Sequence, residues 1–279
     1  MGRLDGKVGI VLGAATKDNI GQVIARRFTQ EGAKVMVAGR HEDVLSTLAD
    51  EIDGAYALCD ITVEEDIEAL MTATLERFGK VDIGVNCTGW GLLKPFLDTT
   101  REELEAMVAL QYVGVFQYLQ GLVRAMTDGG SIIQLSTETA TIMFESHAAY
   151  MGTKAGIDHV IRTVANEFGS KGIKANSISL GVNESPMAAA VFHIPVIIEE
   201  FRKAYPLGRV GTSDDVAAAA VWLASDESFM TGENMHVTGG LRLRRNPMLA
   251  EIAAACEEAG MEPEENLFRM GLSEEHSVS

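Results

Sequence analysis

The chain has 279 residues, 47% of them hydrophobic and only six of them proline, which excludes a largely disordered protein and favours one large packed core. A formal net charge of −17 argues against nucleic acid and anionic membrane surfaces as partners, because both are negatively charged. Cys59, Cys87 and Cys256 are too few and too scattered for a disulfide framework or a cysteine metal site, so we expect reduced thiols and no metal.

Short runs rich in Val and Ile alternate with helical stretches over the first 240 residues, a pattern typical of βαβ units. The pattern predicts strands at 7–12, 34–38, 55–59, 82–86, 131–135, 173–180 and 234–237. It predicts helices at 20–31, 42–52, 64–78, 101–126, 148–169 and 213–225. We therefore expect an α/β fold: a single Rossmann-like, doubly wound domain over residues 1–240, with a seven-stranded parallel sheet and helices on both faces.

The first strand leads into GAATKDNIGQVIA at 13–25, a glycine turn that opens an amphipathic helix. Such a junction suits a dinucleotide, because glycine lets the backbone approach a pyrophosphate and the helix N-terminus supplies free N–H groups. The candidate residues of this turn are Gly13, Thr16, Lys17, Asn19 and Ile20. The spacing is not GxGxxG, and a tight turn in any α/β protein also needs a glycine, so the junction alone is weak support.

The second strand ends in VMVAGRH, which places Arg40 where the adenosine ribose of a bound dinucleotide would lie. An acid at that position would bind the 2′-hydroxyl, whereas an arginine favours a 2′-phosphate. The sequence therefore predicts NADP(H), with Lys17 as a second positive charge. The alternative is that both residues are solvated surface cations.

Two later segments interrupt the alternation. The apolar stretch 183–206 suits a lid over a pocket, or equally a plain surface helix. A tail follows at 241–279, which begins with the basic run RLRRNPM at 242–248, interpreted as solvated surface. From residue 251 the tail holds eight acidic residues against one arginine, and it is either a partly helical subunit contact or a frayed end.

Tyr150 and Lys154 stand four residues apart in HAAYMGTK, one turn apart on the same face of a predicted helix. Together with the glycine turn, CDIT at 59–62, NCTG at 86–89 and PLGRVGTSDDVAAAAVWLASDESFMTGENMHVTGG at 206–240, the pair resembles the short-chain dehydrogenase/reductase family over residues 4–240. The joint order and spacing of these motifs make the resemblance specific. NCTG departs from the family's usual NNAG.

The resemblance implies a role for each matched residue. Tyr150 exchanges a proton with the substrate oxygen while hydride passes between the nicotinamide and the carbonyl carbon. Lys154 holds the nicotinamide ribose hydroxyls and, as a nearby cation, favours the phenolate of Tyr150. The remaining cofactor contacts that it implies are Asp60 and Ile61 at the adenine, Asn86 and Gly89 along the adenosine and ribose, and Gly181 and Val182 at the carboxamide. Asp60 could also serve as a turn cap.

The family also has a hydroxyl residue that orients the substrate oxygen, 13 residues before the tyrosine, which is Thr137 here. Strand alternation lets only one of Ser136 and Thr137 reach the substrate, and we favour Ser136 because the methyl group of threonine would crowd the site. The family's relay asparagine corresponds to Gln111, whose longer amide puts the relay in doubt.

The glycine turn resembles that of the enoyl-acyl-carrier-protein reductases, but those enzymes place the tyrosine seven residues before the lysine, where this chain has His147. The carbonyl-reducing arrangement is therefore favoured, acting on an apolar ketone or secondary alcohol such as a steroid, terpenoid, aromatic or acyl ketone. The expected substrate contacts are Trp90, Leu92, Leu93, Phe96, Met143, Phe144, Met187, Phe192 and His193. The apolar ones could equally be core.

Two alternatives remain: a 3-oxoacyl or enoyl thioester reductase, and a catalytically weak NADP(H)-sensing protein. The acidic charge disfavours the first, because acyl carrier proteins are acidic too. Helices 101–126 and 148–169 carry apolar faces, and the resemblance implies a homodimer or homotetramer through them. No secretory signal or continuous membrane-spanning apolar run occurs, so we expect a cytoplasmic protein with no membrane or nucleic acid partner.

Overall fold

A seven-stranded parallel sheet forms the centre of the protein in the computed structural model, which describes residues 2–184, 192 and 194–261. Its strands are β1 Val8–Leu12, β2 Lys34–Gly39, β3 Ala55–Leu58, β4 Ile83–Asn86, β5 Gly130–Thr137, β6 Ile173–Leu180 and β9 Asn234–Val237. Their order is β3-β2-β1-β4-β5-β6-β9, so the strand order reverses between β1 and β4. Two short strands, β7 Asn183–Glu184 and β8 Gly211–Thr212, pair separately. The predicted sheet and all seven strand positions are confirmed.

Helices cover both faces of the sheet, as predicted. They are α1 Ile20–Gln30, α2 Glu42–Glu51, α3 Glu64–Phe78, α4 Arg101–Val108, α5 Gly114–Ala125, α6 Ala148–Phe168, α7 Pro195–Ala204, α8 Ser213–Ala224 and α9 Leu249–Glu258. Several ends follow local chemistry: Thr100 and Glu103 form a capping box at α4, and α3 ends at Gly79 with a φ of 83°.

The predicted helix 101–126 is in fact two α-helices joined by a π-helical turn, Ala109–Val113. A π turn inserts one extra residue into the helix and changes the direction of the side chains around it. By length and composition, the stretch Arg101–Ala125 could cross a membrane, with a mean hydropathy of 1.3 and 39% of its window buried. A long core helix passes the same test, so length and composition do not assign this stretch to a membrane.

Two apolar layers hold the helices to the sheet. One packs α1, α2 and α8 against one face through residues such as Phe28, Leu48 and Val221. The other packs α3, α5 and α6 against the opposite face, with Leu122 and Ile161 fully or almost fully buried. Full burial of such side chains contributes about 1.5–3 kcal/mol each. These layers fix the carboxyl ends of the strands, where the site lies.

A third apolar cluster lies beyond this edge of the sheet. Helix α7, from the segment predicted as a lid, packs against α9 of the tail, with Ile197, Phe201, Ile252 and Cys256 buried between them. The described part of the tail is therefore helical and docked on its own chain, rather than frayed.

Candidate active site

The exit turns of β1 and β4 approach each other closely at the strand-order reversal. Gly13 has a φ of 97°, and a Cβ there would lie 2.8 Å from both the carbonyl carbon of Cys87 and the amide nitrogen of Thr88. A Cβ at Gly21 would lie 2.7 Å from the Gly13 carbonyl oxygen. Both positions therefore require glycine, and they leave a cradle of bare backbone at the start of α1.

Asn19 organises this cradle. Its Oδ1 accepts the Gln22 N–H at 3.0 Å, which caps α1, and its Nδ2 donates to the Gly13 carbonyl at 2.9 Å. Asn19, Ile20 and Gly21 line the main cavity. The free N–H groups at this helix start fit a pyrophosphate, whereas Thr16 and Lys17 stand exposed on the turn.

Arg40 and Asp60 lie together at the ends of β2 and β3, with Arg40 Nη1 3.8 Å from Asp60 Oδ2. Asp60 also closes a turn, because its Oδ1 accepts the Thr62 N–H at 2.9 Å and the Thr62 hydroxyl at 2.7 Å. The turn-cap alternative for Asp60 is thus present in the structure, and its other oxygen faces Arg40. The Arg40 side chain is 59% exposed, so it is available to a ligand.

Two of the predicted cofactor contacts have side chains that point into the protein. Asn86 is 1% exposed, donates from Nδ2 to Gln134 Oε1 at 2.9 Å and accepts from the backbone N–H and the hydroxyl of Thr88. Ile61 is 2% exposed and belongs to the apolar layer under α5. The Asn86 side chain therefore shapes the turn after β4, and the contact of this residue with the cofactor stays a prediction.

One cavity of about 260 Å³ runs from the start of α1 to the end of the sheet. Its described lining residues are Asn19, Ile20, Gly21, Cys87, Gly91, Leu93, Leu135, Ser136, Thr137, Glu138, Thr139, Phe144, His147, Tyr150, Leu180, Gly181, Val182, Asn183, Phe201, Leu241 and Asn246. The cradle at α1 and the hydroxyl of the predicted tyrosine therefore share one space, as a dinucleotide with a reacting substrate would require.

Tyr150 and Thr137 meet in this cavity. Both side chains line the cavity, and the nearby Thr137 hydroxyl tends to lower the pKa of the Tyr150 phenol. Burial has the larger effect and raises the pKa of Tyr150 to about 12. The Lys154 ammonium lies 5.8 Å from the centroid of the Tyr150 ring, and the expectation that it favours the phenolate beside an oxidised nicotinamide stays a prediction. Tyr150 is held protonated near neutral pH.

Lys154 is 4% exposed and reaches across from α6 to the strand ends. Its Nζ donates to the Leu135 carbonyl at 3.0 Å and lies 3.5 Å from the Thr88 carbonyl. Burial lowers the pKa of Lys154 to about 8, while the negative charge of Asp158 opposes that shift. A Cβ at Gly89 would lie 3.4 Å from Nζ, an ordinary van der Waals contact, so the ammonium lies next to this glycine.

Ser136 does not face the tyrosine. Its hydroxyl donates to Asp158 Oδ2 at 2.7 Å, and Asp158 Oδ1 accepts from Ser177 at 2.6 Å. The preference for Ser136 over Thr137 as the substrate-orienting hydroxyl therefore disagrees with the structure. The pleat of β5 sends adjacent side chains to opposite faces, and it directs Thr137 to Tyr150.

Gln111 lies in the π turn between α4 and α5, 1% exposed. Its Oε1 accepts the Trp90 N–H at 3.3 Å, and its Nε2 donates to the Thr153 hydroxyl at 3.2 Å and contacts the Met107 sulfur. A Cβ on Gly89 would lie 3.1 Å from Oε1, so the amide is close to Lys154 as a relay residue would be. It makes no direct contact with the Tyr150 hydroxyl.

The backbone expected to contact the carboxamide is engaged by Tyr205. Its hydroxyl oxygen accepts the Val182 N–H at 2.6 Å, and a Cβ at Gly181 would lie 2.1 Å from that oxygen. Gly181 and Val182 do line the cavity, as predicted for this end of the site. A carboxamide could use the Val182 N–H only if Tyr205 moved away.

The apolar substrate contacts expected from the sequence are distributed unevenly. Leu93 and Phe144 line the cavity, and Leu92 is buried behind it, whereas Phe96 and Met143 are 76% and 70% exposed. Met143 and Phe96 are therefore exposed side chains outside the described lining of the cavity, and their contact with the substrate stays a prediction. Trp90 is absent from the described lining, and Phe192 packs on the α7–α9 cluster. Met187 and His193 lie outside the described residues.

Several lining residues were missed by the sequence reasoning, notably Thr139, Phe201, Leu241 and Asn246. Thr139 follows the strand that carries Thr137, so its proximity to the site could have been anticipated. Phe201, Leu241 and Asn246 come from the lid and the tail, whose positions depend on tertiary packing.

His147 also lines the cavity, with its ring 4.5 Å from that of Tyr150, and burial lowers its pKa to about 4.

Comparison with known proteins extends over most of the chain. A family model described as enoyl-(acyl carrier protein) reductase matches residues 13–242. L-fucose dehydrogenase of Oryctolagus cuniculus is 35% identical over 252 residues, which are 88% of each protein. 3beta-hydroxysteroid dehydrogenase 1 of Eggerthella lenta is 34% identical over 250 residues, 86% of this chain and 95% of the relative. A short-chain type dehydrogenase/reductase from Mycobacterium ulcerans superimposes with a TM-score of 0.85 at 28% identity, covering 95% of this chain and 98% of the other.

Proposed function

The chain belongs to the short-chain dehydrogenase/reductase family of oxidoreductases, and from this premise we propose that it interconverts a ketone and a secondary alcohol on a small molecule with NADP(H). One observation carries the proposal: Tyr150 and Thr137 line the same cavity as the start of α1. A glycine cradle and a proton donor in the same cavity suit cofactor-dependent carbonyl chemistry.

A bound nicotinamide supplies or accepts the hydride. Residues of this chain handle the proton and the geometry. Tyr150, held protonated by burial, donates its proton to the carbonyl oxygen during reduction. Thr137 donates a hydrogen bond to the same oxygen and orients it. Lys154 would bind the ribose hydroxyls and, below pH 8, supplies a positive charge one helical turn from Tyr150.

The choice of NADP(H) rests on Arg40. Its guanidinium is exposed at the end of β2, where it could pair with a 2′-phosphate, and Asp60 holds it at 3.8 Å. Lys17 stands exposed on the neighbouring turn and adds a second positive charge. The proposal places both exposed cations at the 2′-phosphate of the cofactor, with Asp60 beside Arg40.

The cavity favours a small substrate with an apolar body. Its volume of about 260 Å³ is below the range of ~300–1,000 Å³ that is usual for ligand pockets, and it must also admit the nicotinamide ring. Leu93, Phe144 and Val182 supply apolar walls. The named relatives act on substrates as different as a sugar and a steroid, and the cavity volume is more compatible with the smaller kind.

A subunit contact through α4 and α5 would complete the assembly. The exposed surface of these helices and the turn between them contains large apolar side chains. Leu104, Val108, Val113 and Phe116 are each between 41% and 47% exposed. Apolar patches on a helix pair of this kind are typical of subunit interfaces. We infer a homodimer or homotetramer from this face, which measurement of the mass in solution would test.

The experiment that tests the proposed function compares NADPH oxidation by the wild type and Tyr150→Phe over a panel of small ketones. Tyr150→Phe should abolish turnover, because it removes only the proton donor, while NADPH binding measured by fluorescence stays the same. Tyr56→Phe, which alters an exposed tyrosine on β3, is the matched control and should retain full activity.

Two other outcomes have clear meanings. Oxidation of NADPH with an enoyl thioester but no ketone would favour the thioester reductase, which the description of the matching family model also names. NADPH binding without turnover of any panel member would favour the cofactor-sensing protein. Tyr150→Phe with half the wild-type activity would contradict the role of its hydroxyl in proton transfer.

A further inference from the structure

The C-terminal segment, residues 241–258, closes one side of the cavity and joins two of its walls. Arg244 Nη1 donates to the Lys203 carbonyl at 2.7 Å, at the end of α7. Leu249 N–H donates to Glu145 Oε2 at 2.8 Å, in the loop before α6. The matching family model ends at residue 242, so most of this segment lies beyond the residues that the model matches.

The basic run of this segment has a structural role. Arg245 makes a two-bond contact with Glu251, at 2.7 and 2.6 Å, and Glu251 Oε2 accepts the Met248 N–H at 2.8 Å. Arg245 Nη1 also donates to the Asn246 carbonyl at 3.0 Å. These bonds fix the turn that leads into α9, and with it the position of Asn246.

Asn246 brings an amide into the cavity that contains Tyr150, and its residue is 5% exposed. Within the described part of the chain its side chain makes one hydrogen bond, from Nδ2 to the Met143 carbonyl at 3.2 Å. A carboxamide has two N–H donors and an acceptor oxygen, so one donor and the oxygen have no bond from a described residue. Buried polar groups are normally hydrogen-bonded, because leaving them unpaired is unfavourable.

Other polar groups of the cavity differ in how far they are engaged. Glu138 is fully buried, with one carboxylate oxygen bonded to the Thr141 hydroxyl at 2.7 Å and the other to His236 at 2.6 Å. The Thr137 hydroxyl is hydrogen-bonded to that of Thr139. His147 Nδ1 and Asn183 Oδ1 have no hydrogen-bond partner among the described residues. The neighbouring wall residues Phe144, Phe201 and Leu241 are apolar and cannot satisfy the amide of Asn246.

We propose that Asn246 determines substrate specificity by binding a second oxygen of the substrate, so that the substrate is a small hydroxy ketone or the corresponding diol. The inference rests on the proposed function. The amide can donate to a carbonyl or accept from a hydroxyl. Asn246 and Tyr150 line one cavity of about 260 Å³, so a single small molecule can contact both.

Cyclohexanone and 2-hydroxycyclohexanone are a matched pair of probes that differ by one hydroxyl. The wild type should reduce the hydroxy ketone with the higher kcat/KM. In Asn246→Leu, which keeps the approximate volume but removes the amide, the ratio of the two kcat/KM values should fall roughly 10- to 100-fold. The loss should occur on the hydroxy ketone alone. Met248→Leu, an exposed residue of the same segment, is the control and should leave the ratio unchanged.

Binding gives a readout that does not depend on turnover. Calorimetry of cyclohexane-1,2-diol with NADPH-loaded protein should show binding to the wild type and at least tenfold weaker binding to Asn246→Leu. If Asn246→Leu does not fold, both measurements use Asn246→Ser instead. The shorter serine side chain cannot reach the second oxygen of the substrate, and it changes the polarity of the position less. An unchanged ratio, or diol binding equal in wild type and variant, would overturn the assignment of Asn246. Turnover of cyclohexanone with no preference for the hydroxy ketone would also overturn the assignment of Asn246. Diol binding without any turnover would contradict the proposed function but would still support the assignment of Asn246.

Discussion

Substituting the two adjacent hydroxyl residues of β5 separates catalysis from stability. Thr137→Val removes a hydroxyl that shares the cavity with Tyr150 and is hydrogen-bonded to Thr139, and Ser136→Ala removes one that is bonded to Asp158. Valine keeps the shape of threonine, so the first substitution changes little besides the hydrogen bond. We expect Thr137→Val to lower kcat while Ser136→Ala lowers stability.

The magnitudes follow from what each hydroxyl contacts. Loss of one hydrogen-bond donor to a developing oxyanion lowers kcat by about 10²- to 10³-fold, which is the expectation for Thr137→Val. Ser136 donates one of three hydrogen bonds that Asp158 accepts, the others coming from Ser177 and Asn234. A hydrogen bond to a charged group contributes about 1.5–3 kcal/mol, so Ser136→Ala should lower Tm by several degrees.

The assay measures kcat for ketone reduction and Tm by calorimetry for both variants, with Thr137→Ser as a third. Thr137→Ser restores a hydroxyl at the same position and should recover most of the activity lost in Thr137→Val. The opposite pattern, with Ser136→Ala inactive and Thr137→Val active, would refute the argument that the pleat of β5 selects the substrate-orienting hydroxyl.

Three further substitutions and conditions test the cofactor end and the electrostatics. Arg40→Asp should weaken NADPH binding at least tenfold and leave NADH binding similar, because it replaces a charge-assisted bond to the 2′-phosphate by charge repulsion. An unchanged ratio of the NADPH and NADH dissociation constants would show that Arg40 does not contact the phosphate. The kcat/KM of ketone reduction should be constant below about pH 7 and fall above pH 8. The pKa of Lys154 is lowered to about 8, so its ammonium is lost as the pH rises through that value. A profile that stays flat to pH 10 would contradict this prediction. Gly13→Ala should abolish NADPH binding and lower Tm, since its Cβ would lie 2.8 Å from fixed backbone, whereas the control Gly152→Ala meets no atom within 4 Å and should do neither.

Much of the site followed from the sequence because it depends on local spacing. Four residues along a helix bring Tyr150 and Lys154 to one face whatever surrounds them, and a glycine between β1 and α1 marks a close approach. Alternating apolar runs likewise identified the strands, because each parallel strand is buried on both faces. The π turn at Ala109–Val113 was missed, since one extra residue in a long apolar helix leaves little trace in its periodicity.

The amino-acid sequence by itself determined the order of strands and helices, the family and the residue types available for chemistry, because these depend on periodicity and on motifs read along the chain. Tertiary structure alone decided that Thr137 rather than Ser136 contacts Tyr150, that Asn86 points inward and that Asn246 of the tail reaches the cavity. It also decided that Tyr150 is buried, which raises the pKa of its phenol to about 12. Side-chain direction and desolvation depend on residues that are distant in sequence but close in space, and no local pattern contains them.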